Sequence, residues 1–241
     1  RESDDPYIDE VLESIYDDTN NLIDGADISA ERMRMQLLAP VGGTLGIQIG
    51  TVDNMIHNYS YDPDSSWKAK HYAELSTSSD KWDSPTTAKP LNDLRTGIQY
   101  LASIGVTAKY LLGNSTTFDM LLECDQIKDA LITIMGTNVG FLDTDTVEEI
   151  IRRKVKLEMI SYDKMYKDYD GTEKKFYPDN YVTIIGSSQL GNTWYGTTPE
   201  ERTLLDDPKV DVAVLDRGVA IAVKTDYGPP VQVSTTASPI V

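Results

Sequence analysis

The sequence has little of the chemistry that metal and disulfide sites need. It contains a single cysteine, Cys124, and two histidines, His57 and His71, among 241 residues. One cysteine excludes an internal disulfide and a cysteine metal cluster, and its apolar neighbours predict a buried, unreactive thiol. The histidines are fourteen positions apart, whereas a metal pair on one helix needs a spacing of about four. No metal and no cofactor are therefore expected.

Basic residues are also scarce. The 22 Lys and Arg residues stand against 39 Asp and Glu residues, which gives a formal charge of -17. This balance argues against a surface that neutralises phosphates, so specific nucleic-acid binding is not expected. No apolar run approaches the roughly 20 residues that span a bilayer, so a membrane partner is not expected either. The apolar content of 40% is enough for a globular domain with a sizeable core.

Motifs for nucleotide or acyl chemistry are missing. The sequence has no phosphate-binding glycine loop, and the segment 186–191 lacks the glycine that a nucleophile elbow requires. No catalytic residue is assigned, and the protein is not expected to be an enzyme.

Carbohydrate chemistry is the alternative that the sequence leaves open. Paired carboxylates are suited to glycoside hydrolysis when they lie about 5 to 10 Å apart, a separation that the sequence does not give. Aromatic rings in an exposed loop are suited to sugar binding or to contact with another subunit. The carboxylates are Asp17, Asp18, Asp125, Glu148 and Glu149, and the aromatic residues are Tyr59, Tyr61, Trp67, Tyr72 and Trp82.

Periodic apolar residues predict helices at the start of the chain. Residues 6–23 carry an apolar stripe opposite an acidic face, and a second helix is expected from about residue 30 to 38. Gly25 is expected to interrupt the two helices and Ser29 to cap the second one. Together they form one long, bent element that ends before Pro40.

Strand and helix patterns alternate through the rest of the chain without a repeat. Strands are predicted at residues 45–49, 55–61, 106–112, 157–162, 174–177, 181–185, 210–214 and 219–223, and helices at 91–105, 116–134, 147–156 and 199–205. Residues 62–85 have no periodicity and predict an extended loop. The interspersed order indicates the α+β class.

Local sequence signals predict several helix ends and one turn. Pro90 precedes the start of one helix, and Gly105 is a natural left-handed stop for it. Asp145, followed three residues later by a glutamate, is expected to cap the helix 147–156. The pair Asp170-Gly171 predicts a hairpin between the two predicted strands that flank it.

Five segments resemble lambda-type phage major capsid proteins. The most specific is 177–201, YPDNYVTIIGSSQLGNTWYGTTPEE, and the segment 30–38, AERMRMQLL, is similar to a helix that precedes a turn and a strand in the same family. Three more follow the family's order: 82–85 (WDSP), 90–94 (PLNDL) and 106–114 (VTAKYLLGN). The resemblance covers nearly the whole chain.

The resemblance implies the tailed-phage major capsid fold of the Hong Kong ninety-seven type. On this analogy residues 1–40 form the spine helix region and 41–88 a strand pair with an extended loop. Residues 89–225 form the axial domain with returning strands, and 226–241 a truncated strand of the peripheral domain. The N-terminal arm and the extended hairpin loop of the family are expected to be missing, so the sequence is interpreted as a fragment.

The resemblance also implies a function. It implies a non-enzymatic capsid protein of a tailed phage or prophage, which assembles in the host cytoplasm and resides in the virion. Copies of the chain would form the pentamers and hexamers of an icosahedral shell around DNA, with scaffold, protease, portal or decoration proteins as further partners. The alternatives are a carbohydrate-binding or carbohydrate-active phage protein and the shell of an encapsulating compartment.

Overall fold

The computed structural model describes residues 6–50, 56–135, 143–168, 170–186, 189–197, 202–203, 206, 210–214, 219–224 and 232–237. Helices and strands are interspersed, as the α+β class predicts. The chain divides into two compact units, residues 1–33 with 190–241 and residues 34–189.

The described helices and strands have the following bounds. The helices are α1 Pro6–Leu38, α2 Ser66–His71, α3 Pro90–Ser103, α4 Ser115–Glu123, α5 Asp125–Met135 and α6 Thr144–Lys154. The strands are β1 Gly46–Gly50, β2 Ile56–Ser60, β3 Ala108–Gly113, β4 Glu158–Ser161, β5 Met165–Lys167, β6 Glu173–Lys175, β7 Thr183–Gly186, β8 Val210–Val214, β9 Val219–Lys224 and β10 Gln232–Ala237.

Helix α1 is continuous over 33 residues. The expected interruption at Gly25 is wrong, because one glycine costs a helix only about 1 kcal/mol and leaves its hydrogen bonds intact. Ser29 consequently lies inside the helix and does not cap a second one. The predicted end is confirmed, since the helix stops at Leu38, two residues before Pro40.

The acidic side of α1 is exposed, as the sequence pattern predicts, whereas most side chains of the predicted apolar stripe lie outside the described residues. Its exposed positions include Glu10, Glu13, Asp17 and Asp24, which recur at helical spacing. The buried positions, Ala26, Ala30 and Met33, follow the same spacing on another side. No described helix combines the length and the apolar composition that a bilayer span requires.

The strand pairs near both ends of the chain are confirmed. β1 and β2 pair antiparallel, with Ile47 opposite Tyr59. β8 and β9 also pair antiparallel, and β10 joins them on the other side of β9. The predicted helix 199–205 falls largely outside the described residues.

A three-stranded sheet forms the centre of the second unit, in the order β4, β3, β7. β3 pairs parallel with β4 and antiparallel with β7. Successive side chains of β3 point to opposite faces, and both faces are covered. Leu111 belongs to a large apolar cluster with side chains of α3, α4, α5 and α6, whereas Leu112 belongs to a smaller cluster with Ala39 and Tyr177.

Helix α3 follows its sequence signals. It begins at Pro90, whose missing N–H is no loss in the first turn. It ends at Ser103, and Gly105 follows with a φ of 81°, the left-handed geometry that glycine adopts without strain.

The predicted helix 116–134 is wrong as a single element. Cys124 has extended backbone geometry and separates α4 from α5. The break allows the backbone N–H of Asp125 to donate a hydrogen bond to Pro85 O at 2.9 Å. This partner is forty residues away in the sequence, so local periodicity does not indicate the break.

The predicted cap of α6 is also wrong. Asp143, not Asp145, precedes the helix, and its carboxylate accepts a hydrogen bond from Thr146 N at 2.8 Å. Asp145 lies in the first turn of the helix instead. Both residues have the chemistry of a cap, and the structure uses the earlier one.

The turn at Asp170-Gly171 is confirmed, but one of its strands was not predicted. Gly171 has a φ of 81°, and β5 and β6 pair antiparallel across the turn. The expected partner strand, residues 157–162, corresponds to β4, which pairs with β3. β5 has only three residues, too few to show a period of two.

The predicted loop 62–85 contains one short helix, α2. The carboxylate of Asp62 accepts hydrogen bonds from Trp67 N and Lys68 N, each at 2.9 Å. These bonds satisfy backbone donors at the start of the helix, which have no partner within it. The remainder of the loop has neither helix nor strand.

Candidate functional surface

The two histidines lie on different elements. His57 lies on β2, and His71 ends α2 with its ring stacked on Trp67 at a centroid distance of 5.6 Å. The ring of Tyr100 meets the same histidine edge-on at 5.4 Å. Within the described ranges, no three His, Cys, Asp or Glu side chains converge as metal ligands.

Cys124 is buried, as the sequence predicts. The residue is fully buried, and its Sγ lies 3.3 Å from Met120 O and 3.6 Å from Trp82 O, either of which can accept its single proton. Burial raises the pKa of the thiol to about 11. The thiolate, which is the reactive form, is therefore scarce at neutral pH.

We expect the folded protein to resist thiol reagents. A pKa about two units above the usual value lowers the thiolate fraction about a hundredfold, and burial restricts access further. Reaction with a chromogenic disulfide at pH 8 should be at least about a hundredfold slower than in denaturant. Similar rates in the two conditions would contradict the burial of Cys124.

Among the candidate carboxylates, Glu149 does not have the property of a general acid. Glu149 accepts hydrogen bonds from Arg153 and Arg152, and these bonds lower the pKa of its carboxyl. A general acid needs the opposite shift. Asp125 lies in the first turn of α5, 3.8 Å from Lys128, and Asp17 is exposed on α1.

Trp82 does not provide a ring face for a sugar. It is only 8% exposed, belongs to the large apolar cluster, and donates from Nε1 to Asp93 Oδ2 at 3.0 Å. Trp67 is half-buried and already stacks on His71. The aromatic residues of the predicted loop therefore include one core residue, and the carbohydrate interpretation loses its main support.

A buried polar network at the start of α4 was not predicted. Asn114 is fully buried and caps the helix, accepting hydrogen bonds from Thr117 N at 2.9 Å and Thr117 Oγ1 at 2.6 Å. Its Nδ2 donates to Asp179 Oδ1 at 2.5 Å. The side chain of Asn114 thus joins the end of β3 to the loop after β6. The sequence signal for this network is an asparagine that precedes a helical pattern.

Asp163 extends the same network. Its carboxylate accepts hydrogen bonds from Ser115 N at 2.8 Å, Ser115 Oγ at 2.7 Å and Ser161 Oγ at 2.7 Å. Burial alone would raise the pKa of Asp163, but the hydrogen bonds outweigh it and hold the pKa below the usual range. The network fixes loops and does not leave an unpaired reactive group.

The β1–β2 ribbon presents one protected edge and one exposed strand. On β1, Gln48 N donates a hydrogen bond to Gln36 Oε1 at 3.0 Å, and Gln36 Nε2 donates to Gln48 O at 3.4 Å. All five residues of β2 are exposed. Tyr61 directly follows β2, and its N–H donates to Leu45 O at 3.0 Å, which continues the pairing with the other strand. Tyr59 and Tyr61 are 53% and 50% exposed.

A second exposed apolar group lies in residues 189–197, which have no helix or strand. Trp194 is 76% exposed and Leu190 is 64% exposed. A monomeric protein rarely leaves a tryptophan so open, because its large apolar surface favours burial against a partner. We call this group the Trp194 patch, defined by Leu190, Trp194 and Tyr195, and the pair Tyr59 and Tyr61 the β2 patch.

Comparison with known proteins identifies a family for this chain. The family model described as phage major capsid protein E matches residues 7–208. The match extends from the first turn of α1 to two residues before β8 and contains both exposed patches. No curated protein matches the chain significantly.

Proposed function

Because the chain belongs to the phage major capsid protein E family, we propose that it is a shell subunit that associates with copies of itself into the pentamers and hexamers of an icosahedral phage head. The family match over residues 7–208 carries this proposal. The family places the protein in the virion, as a structural component.

The fold is consistent with such a subunit. A helix of 33 residues is about 50 Å long, and we assign it, within residues 1–40, as the spine of the Hong Kong ninety-seven type fold. We assign the sheet β4–β3–β7 and its helices to the axial domain, within residues 89–225. Residues 41–88 are the strand pair and extended loop, and 226–241 belong to the peripheral domain.

The charge of the chain agrees with a container for DNA. A formal charge of -17 per subunit makes the shell repel the packaged polymer, which keeps the DNA from adhering to the wall. The same charge makes copies of the subunit repel one another. Association must therefore depend on uncharged contacts and on screening by salt.

We expect salt to promote association of the complete gene product. The Debye length falls from about 30 Å at 0.01 M salt to about 8 Å at 0.15 M, so the repulsion between subunits weakens over this range. Light scattering should rise as sodium chloride increases, and electron microscopy should show discrete particles. Dialysis to low salt should reverse the rise, which separates assembly from precipitation. Scattering that stays constant from 0.01 to 0.3 M, or that falls, would contradict the proposal.

A further inference from the structure

The hydrogen bonds of the β1–β2 ribbon determine which of its backbone groups point outward. Tyr61 N donates to Leu45 O, and these two residues lie opposite each other in the register that pairs Gly46 with Ser60. In an antiparallel pair, opposite residues that exchange hydrogen bonds alternate with opposite residues that do not. The pairs 46–60, 48–58 and 50–56 are therefore the ones that do not, and their N–H and C=O groups point away from the ribbon.

The two outer edges of the ribbon differ. On β1, the outward N–H and C=O of Gln48 are both bonded to the side-chain amide of Gln36. On β2, the outward groups belong to Ile56, Asn58 and Ser60, and no residue within the described ranges bonds to them. An exposed strand edge with unpaired backbone groups is a template for a further strand. The outer edge of β2 can therefore receive one, whereas the outer edge of β1 is occupied.

β2 also lacks the side chains that keep edge strands apart. Its residues, IHNYS, include no lysine, no proline and no carboxylate, and all five are exposed. The β5–β6 ribbon is the contrast, since Lys167 lies on one of its strands and Glu173, Lys174 and Lys175 on the other. Copies that each carry a formal charge of -17 repel least where uncharged surface meets uncharged surface.

We propose that β2 pairs antiparallel with β2 of a second copy about a two-fold axis at Asn58, so that two ribbons join into one four-stranded sheet. This inference rests on the proposed function, because it names a contact by which shell subunits associate. Adding a strand to an open sheet edge is a common mode of protein recognition, in which the main-chain hydrogen bonds provide the affinity.

The register follows from the spacing of the outward groups. A two-fold axis at Asn58 places Ile56 opposite Ser60 of the second copy, so every outward N–H and C=O of both strands gains a partner, in about six hydrogen bonds. A shift by two residues loses some of these bonds, and a shift by one places outward groups opposite groups that already bond to β1. The antiparallel direction also puts the two copies of Asp62, the nearest carboxylate after β2, at opposite ends of the pair.

The contact is isologous and ends at two copies. The outer strands of the joined sheet are the two copies of β1, whose edges Gln36 occupies at Gln48. A further ribbon therefore does not add, and the contact does not grow into a fibre. Icosahedral symmetry includes two-fold axes as well as five-fold axes, so a two-fold contact is suited to joining neighbouring rings of subunits.

Single cysteines test the register. In the proposed sheet, Cα of residue 56 lies about 5.5 Å from Cα of residue 60 of the other copy, a separation that a disulfide bridges. It lies roughly 14 Å from residue 56 of the other copy, which is too far. Under mild oxidation in moderate salt, an equimolar mixture of Ile56→Cys and Ser60→Cys should form linked dimers at least about tenfold faster than either variant alone. Ile56→Cys mixed with Asn92→Cys, at an exposed position on α3, is the control and should link no faster than either variant alone.

Substitutions at Asn58 test whether the backbone carries the contact. Asn58→Pro removes an outward N–H and no bond to β1, a position at which an edge strand tolerates proline, so circular dichroism should show an unchanged fold. Each pair of copies loses two central hydrogen bonds, so association measured by sedimentation should weaken at least about tenfold. Asn58→Ala keeps the N–H and is the matched control, with an expected change of less than about threefold.

The outcomes separate this inference from the proposed function. Mixed cysteine variants that link no faster than each variant alone, or equal association of the Asn58→Pro and Asn58→Ala variants, would overturn the β2 contact. Particles formed by the unaltered protein would then leave the proposed function standing. Linked dimers in the cysteine mixture, from a protein that forms no particles at any salt concentration, would support the contact and overturn the proposed function.

Discussion

Asn114→Ala should lower the free energy of unfolding of the subunit by about 2 to 4 kcal/mol, because it removes a helix cap and leaves buried donors without an acceptor. Asn114 is fully buried, and its Oδ1 is the acceptor for both the backbone N–H and the hydroxyl of Thr117. Urea unfolding in low salt, followed by tryptophan fluorescence, measures the change. Asn92→Ala, at an exposed position in α3, is the control and should change the free energy by less than about 0.5 kcal/mol.

Asn114→Asp tests whether the hydrogen bond donated by Nδ2 contributes to stability in addition to the cap made by Oδ1. The new carboxylate can still cap α4, but it cannot donate to Asp179 Oδ1, which the amide reaches at 2.5 Å. Two carboxylates in contact raise the pKa of the pair, so the folded state takes up a proton more readily than the unfolded state. The stability lost at pH 7 should therefore return as the pH falls toward 4. A deficit that is independent of pH would contradict the contact between residues 114 and 179.

Phe118→Ala should cost about 3 to 5 kcal/mol, the range for removal of a buried aromatic ring. Phe118 is 2% exposed and lies in the large cluster that covers one face of the sheet. Its ring also occupies the space in front of Gly113, where an added Cβ would lie 2.7 Å from Cζ. Ile132→Ala, at a 41% exposed position on α5, is the control and should cost less than about 1 kcal/mol.

A double-mutant cycle checks the contact between the ring and the glycine. Gly113→Ala alone should be destabilising, because the new methyl group overlaps the ring of Phe118. In a background of Phe118→Leu the same substitution should cost less, since the shorter side chain leaves room. Equal costs in the two backgrounds would show that residues 113 and 118 are not coupled and would contradict the packing.

Much of the fold follows from local sequence signals. The stop of α1 before Pro40, the Pro90 start and Gly105 stop of α3, and the turn at Gly171 all depend on backbone geometry that one residue determines. The pairing of β1 with β2 follows from alternation and a short connection.

The elements that the sequence does not predict depend on a distant partner or are too short to show a period. The break at Cys124 is accompanied by a bond to Pro85 O, and α2 starts with the carboxylate of Asp62 as acceptor for its first donors. β5 is too short for a periodic signal. The Pro85 contact is therefore absent from the local pattern, and α2 and β5, with six and three residues, are too short for a periodic pattern to predict.

The burial and exposure of side chains at the candidate surface could also be predicted only in part from the sequence. The burial of Cys124 could be predicted from its apolar neighbours. The exposure of Trp194 could not, because a tryptophan in an uncharged segment is compatible with a core position as well as with a contact between subunits. What separates the two is the tertiary environment, which the sequence pattern does not contain.

We propose that copies of this chain build a closed shell. Electron microscopy of the complete gene product, purified and brought from low to moderate salt, tests it most directly. We predict hollow particles of uniform diameter with fivefold and sixfold clusters of subunits. A population that remains monomeric, or that forms only irregular aggregates across the whole salt range, would contradict the account.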